Sequence, residues 1–199
     1  MERVVAMKRL SHASAVGIAA AVILSLLTLA SCARKVELDE DFQGIVTYSF
    51  GESREPLMVI QDRIRASHGN AEERLDLELQ LAELLKREDT SFYCKDFACR
   101  QLRVIGTAES VPALAKLLTD EKLSDMARYA LELNTDPKVD KELISALRKA
   151  QGNQLIGIIN SLGERRAKEA LEALEPMAAS QEADVAAAAK EALSKIQGG

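Results

Sequence analysis

Ser110-Val111-Pro112-Ala113-Leu114-Ala115-Lys116-Leu117-Leu118-Thr119-Asp120, followed five residues on by Met126-Ala127-Arg128-Tyr129-Ala130-Leu131, decides the fold of this chain. Apolar residues recur every three or four positions in both pieces, the spacing of an amphipathic helix. Thr119-Asp120 reads as the turn between them. One short helical hairpin cannot bury its own apolar face, so the pattern calls for neighbours of the same kind. They are present in the sequence. Aligning Cys99-Arg100-Gln101-Leu102, Arg128-Tyr129-Ala130-Leu131, Ile159-Asn160-Ser161-Leu162 and Lys190-Glu191-Ala192-Leu193 puts leucines at 102, 131, 162 and 193, with spacings of 29, 31 and 31.

The same period organises the chain on both sides. Upstream, the spacing predicts a helix over 54–67, with Ser53 as its N-cap and Leu57, Ile60 and Ile64 on one face. A second over 71–87 carries leucines on more than one face, as a helix with neighbours on two sides does. A third over 92–105 turns Phe97, Leu102 and Ile105 inward and ends at Gly106 as a C-cap. Downstream, pairs are expected at 110–118 with 122–133, 138–150 with 154–162, and 166–179 with 182–196. Breaks fall at 134–137 and at Gly163. Gly157 sits inside a predicted helix, where it costs about 1 kcal/mol relative to Ala; it marks a close helix contact or a bend. Ala127, Ala130, Ala188, Ala189 and Ala192 let adjacent helices approach. The expected fold class is all-α: an α-solenoid of about four helical hairpins behind an N-terminal capping helix, over residues 52–199.

The amino terminus reads differently. Arg3, Lys8 and Arg9 precede 19 uncharged residues, 13–31, which close on Leu29-Ala30-Ser31-Cys32. A basic start, an apolar core and small residues before a cleavage point make a secretory signal. The competing reading, an uncleaved spanning helix, needs about 20 apolar residues. Ser14, Gly17, Ser25, Thr28 and Ser31 weaken it. The tetrapeptide resembles a bacterial lipobox. That resemblance implies removal of residues 1–31 and a diacylglyceryl group on the Cys32 thiol. One acyl chain holds a protein to a bilayer only marginally, so more than one is needed. The protein is then expected in the cell envelope, lipid-anchored and facing the periplasm. Ala33, rather than an aspartate, leans towards the outer membrane. Residues 32–51 read as a lipidated tether, about 65–70 Å long if fully extended. Its acidic run, Glu37, Asp39, Glu40 and Asp41, is expected to be solvated. Ile45-Val46-Thr47-Tyr48-Ser49-Phe50 has β propensity, and without a strand partner it is expected to lie as a strap on the first helix.

Charge excludes one class of partner. The chain has 26 basic and 31 acidic residues. Residues 1–31 hold three of the first and one of the second, leaving a net charge of 23 − 30 = −7. Nucleic-acid binding favours a basic face, so no nucleic acid is expected. There is no Trp, and Ala, Leu, Glu and Lys are abundant, a composition that favours helix.

Val111-Pro112-Ala113-Leu114 before Leu117-Leu118-Thr119-Asp120, and Ala127-Arg128-Tyr129-Ala130-Leu131 after it, resemble HEAT repeats of the short bacterial type found in bilin lyases (PBS-lyase HEAT-like). The resemblance covers about 71–196. It implies a helical-repeat architecture and a role in protein–protein interaction: a membrane-tethered scaffold. The alternatives it leaves are a bilin-lyase-like or other enzyme accessory function, or a structural subunit of a larger envelope complex. Its third unit departs from the pattern at Gly157 and at Ala150-Gln151-Gly152-Asn153, which lacks the turn aspartate.

Catalytic chemistry has little to stand on. His68 precedes Gly69 and reads as the end of a helix, where a cation suits the dipole. No His/Cys set has zinc spacing, and no phosphate-cradling glycine loop occurs. No catalytic residue, metal or cofactor is therefore expected. Cys94 and Cys99 lie too far apart along one helix to bridge unless the first turn frays; the expected state is two small apolar residues. The functional surface is expected on the face of the second helices. Arg100, Arg103, Tyr129, Glu132, Asn160 and Glu191 fall one or two positions around from the core leucines, and Arg128 adjoins Tyr129. Tyr129 with Arg128 leads this set, because Tyr and Arg dominate binding hot spots.

Overall fold

Twelve residues, Glu55–Ala66, form the first long helix of the computed structural model, which describes residues 36–198. The signal segment 1–31 and Cys32 lie outside the described residues. The helices are α1 (Glu40–Gln43), α2 (Glu55–Ala66), α3 (Ala71–Lys86), α4 (Phe92–Ile105), α5 (Val111–Ala115), α6 (Ser124–Glu132), α7 (Lys138–Leu147), α8 (Gly152–Glu164), α9 (Leu171–Leu174) and α10 (Ala183–Gln197). Three-residue and four-residue 3-10 turns, Lys168–Ala170 and Pro176–Ala179, flank α9. The described residues are all-helical, with no strand among them. None of these helices is long and apolar enough to cross a membrane.

Local chemistry sets the helix starts. Asn70 Oδ1 accepts from Glu73 N at 3.2 Å, and Glu73 Oε2 accepts in return from Asn70 Nδ2 at 3.2 Å. The first bond satisfies a backbone N–H that has no partner inside the helix, and the second holds the two side chains together. Ser91 Oγ does the same for Cys94 N at 3.1 Å. Ser53, expected as the N-cap of α2, stands one residue ahead of it: Arg54 is the N-cap, and Ser53 Oγ accepts from Glu55 N at 3.3 Å.

Packing follows two chains of contact. Helices α4, α6, α8 and α10 each pack on the next, and α3, α5 and α7 do likewise, with the turn Lys168–Ala170 next in line. Within pairs, α3 meets α4, α5 meets α6, α7 meets α8 and α9 meets α10. Leu102, Leu131 and Leu162 are buried at equivalent places. Leu193 is half-buried against the same core, since no further described helix follows α10 to cover it.

Several boundaries differ from expectation. The helix expected over 110–118 is regular only over Val111–Ala115, and Leu117 and Leu118 are buried from the turns that follow. The stretch 166–179 is broken, with Pro176 starting a fresh 3-10 turn. Gly163 does not end its helix. It lies inside α8, where an added Cβ would come within 2.8 Å of Ala192 Cα. Its missing side chain is what lets α8 and α10 touch. The chain turns instead at Arg166, at φ 54°. Arg166 N donates to Gly163 O at 3.0 Å and Ala167 N to Leu162 O at 3.1 Å. These are the two bonds of a Schellman cap. Gly106, at φ −63°, is needed for space, because a Cβ would meet Leu102 O at 2.4 Å.

The expected tether is largely part of the fold. Phe42 and Ile45 are fully buried and Val46 nearly so. Asp39 N donates to Gln80 Oε1 at 2.9 Å, and Gln80 Nε2 donates back to Asp39 Oδ2 at 3.1 Å. Arg63 pairs with Asp39 and with Asp41, both at 2.8 Å, and its guanidinium lies 5.6 Å from the centre of the Phe42 ring. Burial pushes the Asp39 carboxyl up, but bonds from Phe42 N, Gln80 and Arg63 outweigh it and hold it below the usual carboxylate value. So the acidic run is not simply solvated: α1 lies on α2 through it. The strap beyond it is fastened to the start of α4, where Ser91 N donates to Val46 O at 2.8 Å and Ser91 Oγ donates to Tyr48 O.

Candidate functional site

The residues expected to bind divide into an outward group and an inward group. Outward, α4 and α6 bring Arg103 and Tyr129 together. The Arg103 guanidinium stands 3.8 Å from the centre of the Tyr129 ring and donates through Nη1 to Tyr129 O. A guanidinium over an aromatic face is attracted by the ring's quadrupole. Arg100, one turn earlier, is exposed and pairs with Asp96 at 2.9 Å. That bond holds the Arg100 guanidinium even more firmly protonated. Val104, next to Arg103 in the chain, and Leu133, four residues after Tyr129, are both exposed, and the sequence did not single them out. Arg100, Arg103 and Tyr129 thus give α4 and α6 two cations and an aromatic ring.

Arg128 belongs to the inward group. Its Nη1 donates to Ser161 Oγ at 3.2 Å and to Gly157 O at 3.3 Å, and its Nη2 pairs with Asp125 at 2.6 Å. An added Cβ at Gly157 would sit 2.5 Å from Arg128 Cζ. Gly157 is therefore the seat of this guanidinium, a close helix contact rather than a bend. Glu132 accepts from Ser161 Oγ at 2.8 Å. Arg128 and Glu132 join α6 to α8. Arg128 is paired with Tyr129 in sequence, but its head group is held inside the fold and is not offered to a partner. Asn160 is exposed. Glu191 is exposed and pairs with Lys195 at 2.6 Å, and Lys195 reaches Glu164 at 2.8 Å, tying α10 to α8.

Sequence reasoning missed a second polar system, one that joins successive loops. Glu78 on α3 is 1% exposed. Its Oε1 accepts from Thr107 N at 2.6 Å and Ser110 N at 3.0 Å, and its Oε2 accepts from Thr107 Oγ1 at 2.8 Å. Asn134 Nδ2 donates to Thr107 O at 2.8 Å. Arg165 then donates through Nη1 to Asn134 O at 2.5 Å, to Leu131 O at 3.0 Å and to Glu132 O at 3.2 Å. Its Nε pairs with Asp140 at 2.5 Å. Leu131 O also accepts from Asn134 N at 3.0 Å, so Arg165 reinforces the turn that closes α6. The sequence signal was spacing alone: Asn134 and Arg165 each stand three residues after a leucine of the period, and Thr107 stands five after Leu102.

Cys94 and Cys99 are free and buried. Burial pushes both thiols up to about 12. Since the thiolate is the reactive form, both are inert fillers at neutral pH. His68 is exposed just past α2. Among the described residues, no cluster of His, Cys, Asp or Glu side chains is placed to hold a metal ion.

No protein-family model matches this chain, and neither a curated protein nor a solved structure is found to be similar to it.

Proposed function

We propose that this chain is a non-catalytic, lipid-tethered scaffold of a bacterial cell envelope. It is read as a solenoid of about four HEAT-like helical pairs, anchored to a membrane through lipid on Cys32 and facing the periplasm. It binds another protein through the face of α4 and α6. The observation that carries this reading is the order of packing: α4, α6, α8 and α10 each meet the next, and buried leucines recur at 102, 131 and 162. In helical-repeat proteins each unit contacts only its neighbours, and the stack presents an extended binding surface.

Arg103, Tyr129, Val104 and Leu133 supply the contact. Tyr and Arg anchor protein interfaces more often than other residues do. Arg128, expected from sequence to share this role, is withdrawn from it because its guanidinium is seated on Gly157.

The test is crosslinking in the native membrane followed by identification of the captured protein. Replacing Tyr129 and Arg103 together by Ala is expected to lower capture about tenfold or more, the effect of losing at least ~1.4 kcal/mol of binding. Thermal unfolding should barely move. Undiminished capture would remove the α4–α6 face from the proposal. Native membranes yielding no reproducible partner would remove the scaffold role.

A further inference from the structure

Three of the chain's seven aromatic residues are gathered at one uncovered place. Phe50 is 83% exposed, Phe92 42% and Tyr93 41%. They come from segments some forty residues apart, yet they touch. The Phe50 and Tyr93 ring centres are 5.9 Å apart, and those of Phe92 and Tyr93 are 5.3 Å apart, edge to face. A contiguous apolar patch on a surface marks an interaction site more than scattered residues do.

The patch is built, not incidental. Phe50 occupies the tip of a tight turn in which Glu52 N donates to Ser49 O at 3.3 Å. Ser49 N donates to Glu52 Oε2 at 2.7 Å. Gly51 takes the left-handed conformation the turn requires, at φ 94°, where a side chain would be strained. The two bonds from Ser91 to Val46 and Tyr48 hold this turn against the start of α4, where Phe92 and Tyr93 stand.

We propose that Phe50, Phe92 and Tyr93 form a membrane-contacting patch that seats the domain in the interfacial layer of the bilayer to which Cys32 is anchored. The inference rests on the lipid anchor proposed above. Four residue steps separate Cys32 from Val36, where the described fold begins. Fully extended, they reach about 14 Å. Asp39 is already fixed to Gln80. Gln80 lies six residues, about 9 Å along α3, from Lys86, the end of α3 nearest the start of α4 in the chain. A lipid at Cys32 therefore keeps this end of the domain close to the bilayer. Tyr93 has the apolar ring and polar tip favoured at that interface, and Phe50 and Phe92 add apolar surface of the kind that enters the headgroup boundary. Three rings fall far short of the ~800 Å² per partner that a stable protein interface buries. A protein already held by lipid needs much less to be oriented, because the second contact is intramolecular in effect.

The experiment uses the full lipidated chain in vesicles of phosphatidylethanolamine and phosphatidylglycerol with brominated acyl chains. The chain has no Trp, so Phe50→Trp introduces a single reporter at an exposed position, and Tyr129→Trp serves as the control. The expected result is that brominated chains quench about half the emission of Phe50→Trp and little of Tyr129→Trp, as for an aromatic at the headgroup level. Hydrogen exchange of the unsubstituted protein should slow over residues 47–53 on vesicles. Protein that floats with vesicles while Phe50→Trp stays unquenched would overturn the patch and leave the anchor standing. Protein that does not float would overturn both. Shielding of the Phe50→Trp reporter from iodide without vesicles, rising with protein concentration, would assign the patch to a second copy and overturn the proposal.

Discussion

Arg165→Ala is expected to lower the stability of the domain by about 3–5 kcal/mol, the cost of removing one partner from a buried charged network. The side chain is 9% exposed and joins Asp140 to the carbonyls of Leu131, Glu132 and Asn134. Alanine leaves the Asp140 carboxylate without its partner and takes a donor from three oxygens at the end of α6, of which Leu131 O keeps its bond from Asn134 N. With a urea slope of about 1.5–2 kcal/mol/M, the unfolding midpoint falls by roughly 2 M. Arg165→Lys should recover only part of the loss. An ammonium can meet Asp140 but lacks the planar fork that reaches several oxygens at once. A midpoint within about 0.3 M of the parent's, less than ~1 kcal/mol, would mean that the network contributes little.

Glu78→Ala should cost about 2 kcal/mol, because it takes the acceptor from three donors, one of them on the fully buried Ser110 and two on the exposed Thr107. Those donors are Thr107 N, Ser110 N and Thr107 Oγ1. Glu78→Gln separates shape from charge. The amide oxygen can still accept from Thr107 N and Ser110 N, and the amide nitrogen can donate to a turned Thr107 hydroxyl. Its loss should stay near 1 kcal/mol or below. Hydrogen exchange gives the local readout: the Thr107 and Ser110 amides are slow in the parent and in Glu78→Gln, and fast in Glu78→Ala. Equal losses for the two variants would assign the effect to charge rather than to hydrogen bonding.

The helices were legible because their cause is local. Phe92–Ile105 was expected and is observed at the same bounds. The burial of Leu102, Leu131 and Leu162 follows from apolar spacing alone. What escaped the sequence depends on partners far along the chain. Glu78 meets Thr107 and Ser110 from 29 and 32 residues away, and Arg165 meets Asp140 from 25 away. A lone charged residue on a helix reads as solvated until its partners are known. Arg128 illustrates the same limit. Its position beside Tyr129 suggested a binding face, but Gly157, one turn of α8 before Ser161, opens a seat that draws the guanidinium inward. Gly163 read as a helix end because glycine usually is one; only the Cα of Ala192 reveals it as a point of contact. The acidic run at 37–41 read as tether because Arg63, its partner at Asp39 and Asp41, is more than twenty residues downstream.

The proposed scaffold and its proposed seat on a bilayer both rest on lipidation of Cys32, so the decisive measurement is the mass of the amino-terminal peptide of protein extracted from native membranes. The expected result is a peptide beginning at residue 32, with a diacylglyceryl thioether on the Cys32 sulfur and residues 1–31 gone. An unmodified thiol within a chain that still carries residues 1–31 would contradict the account.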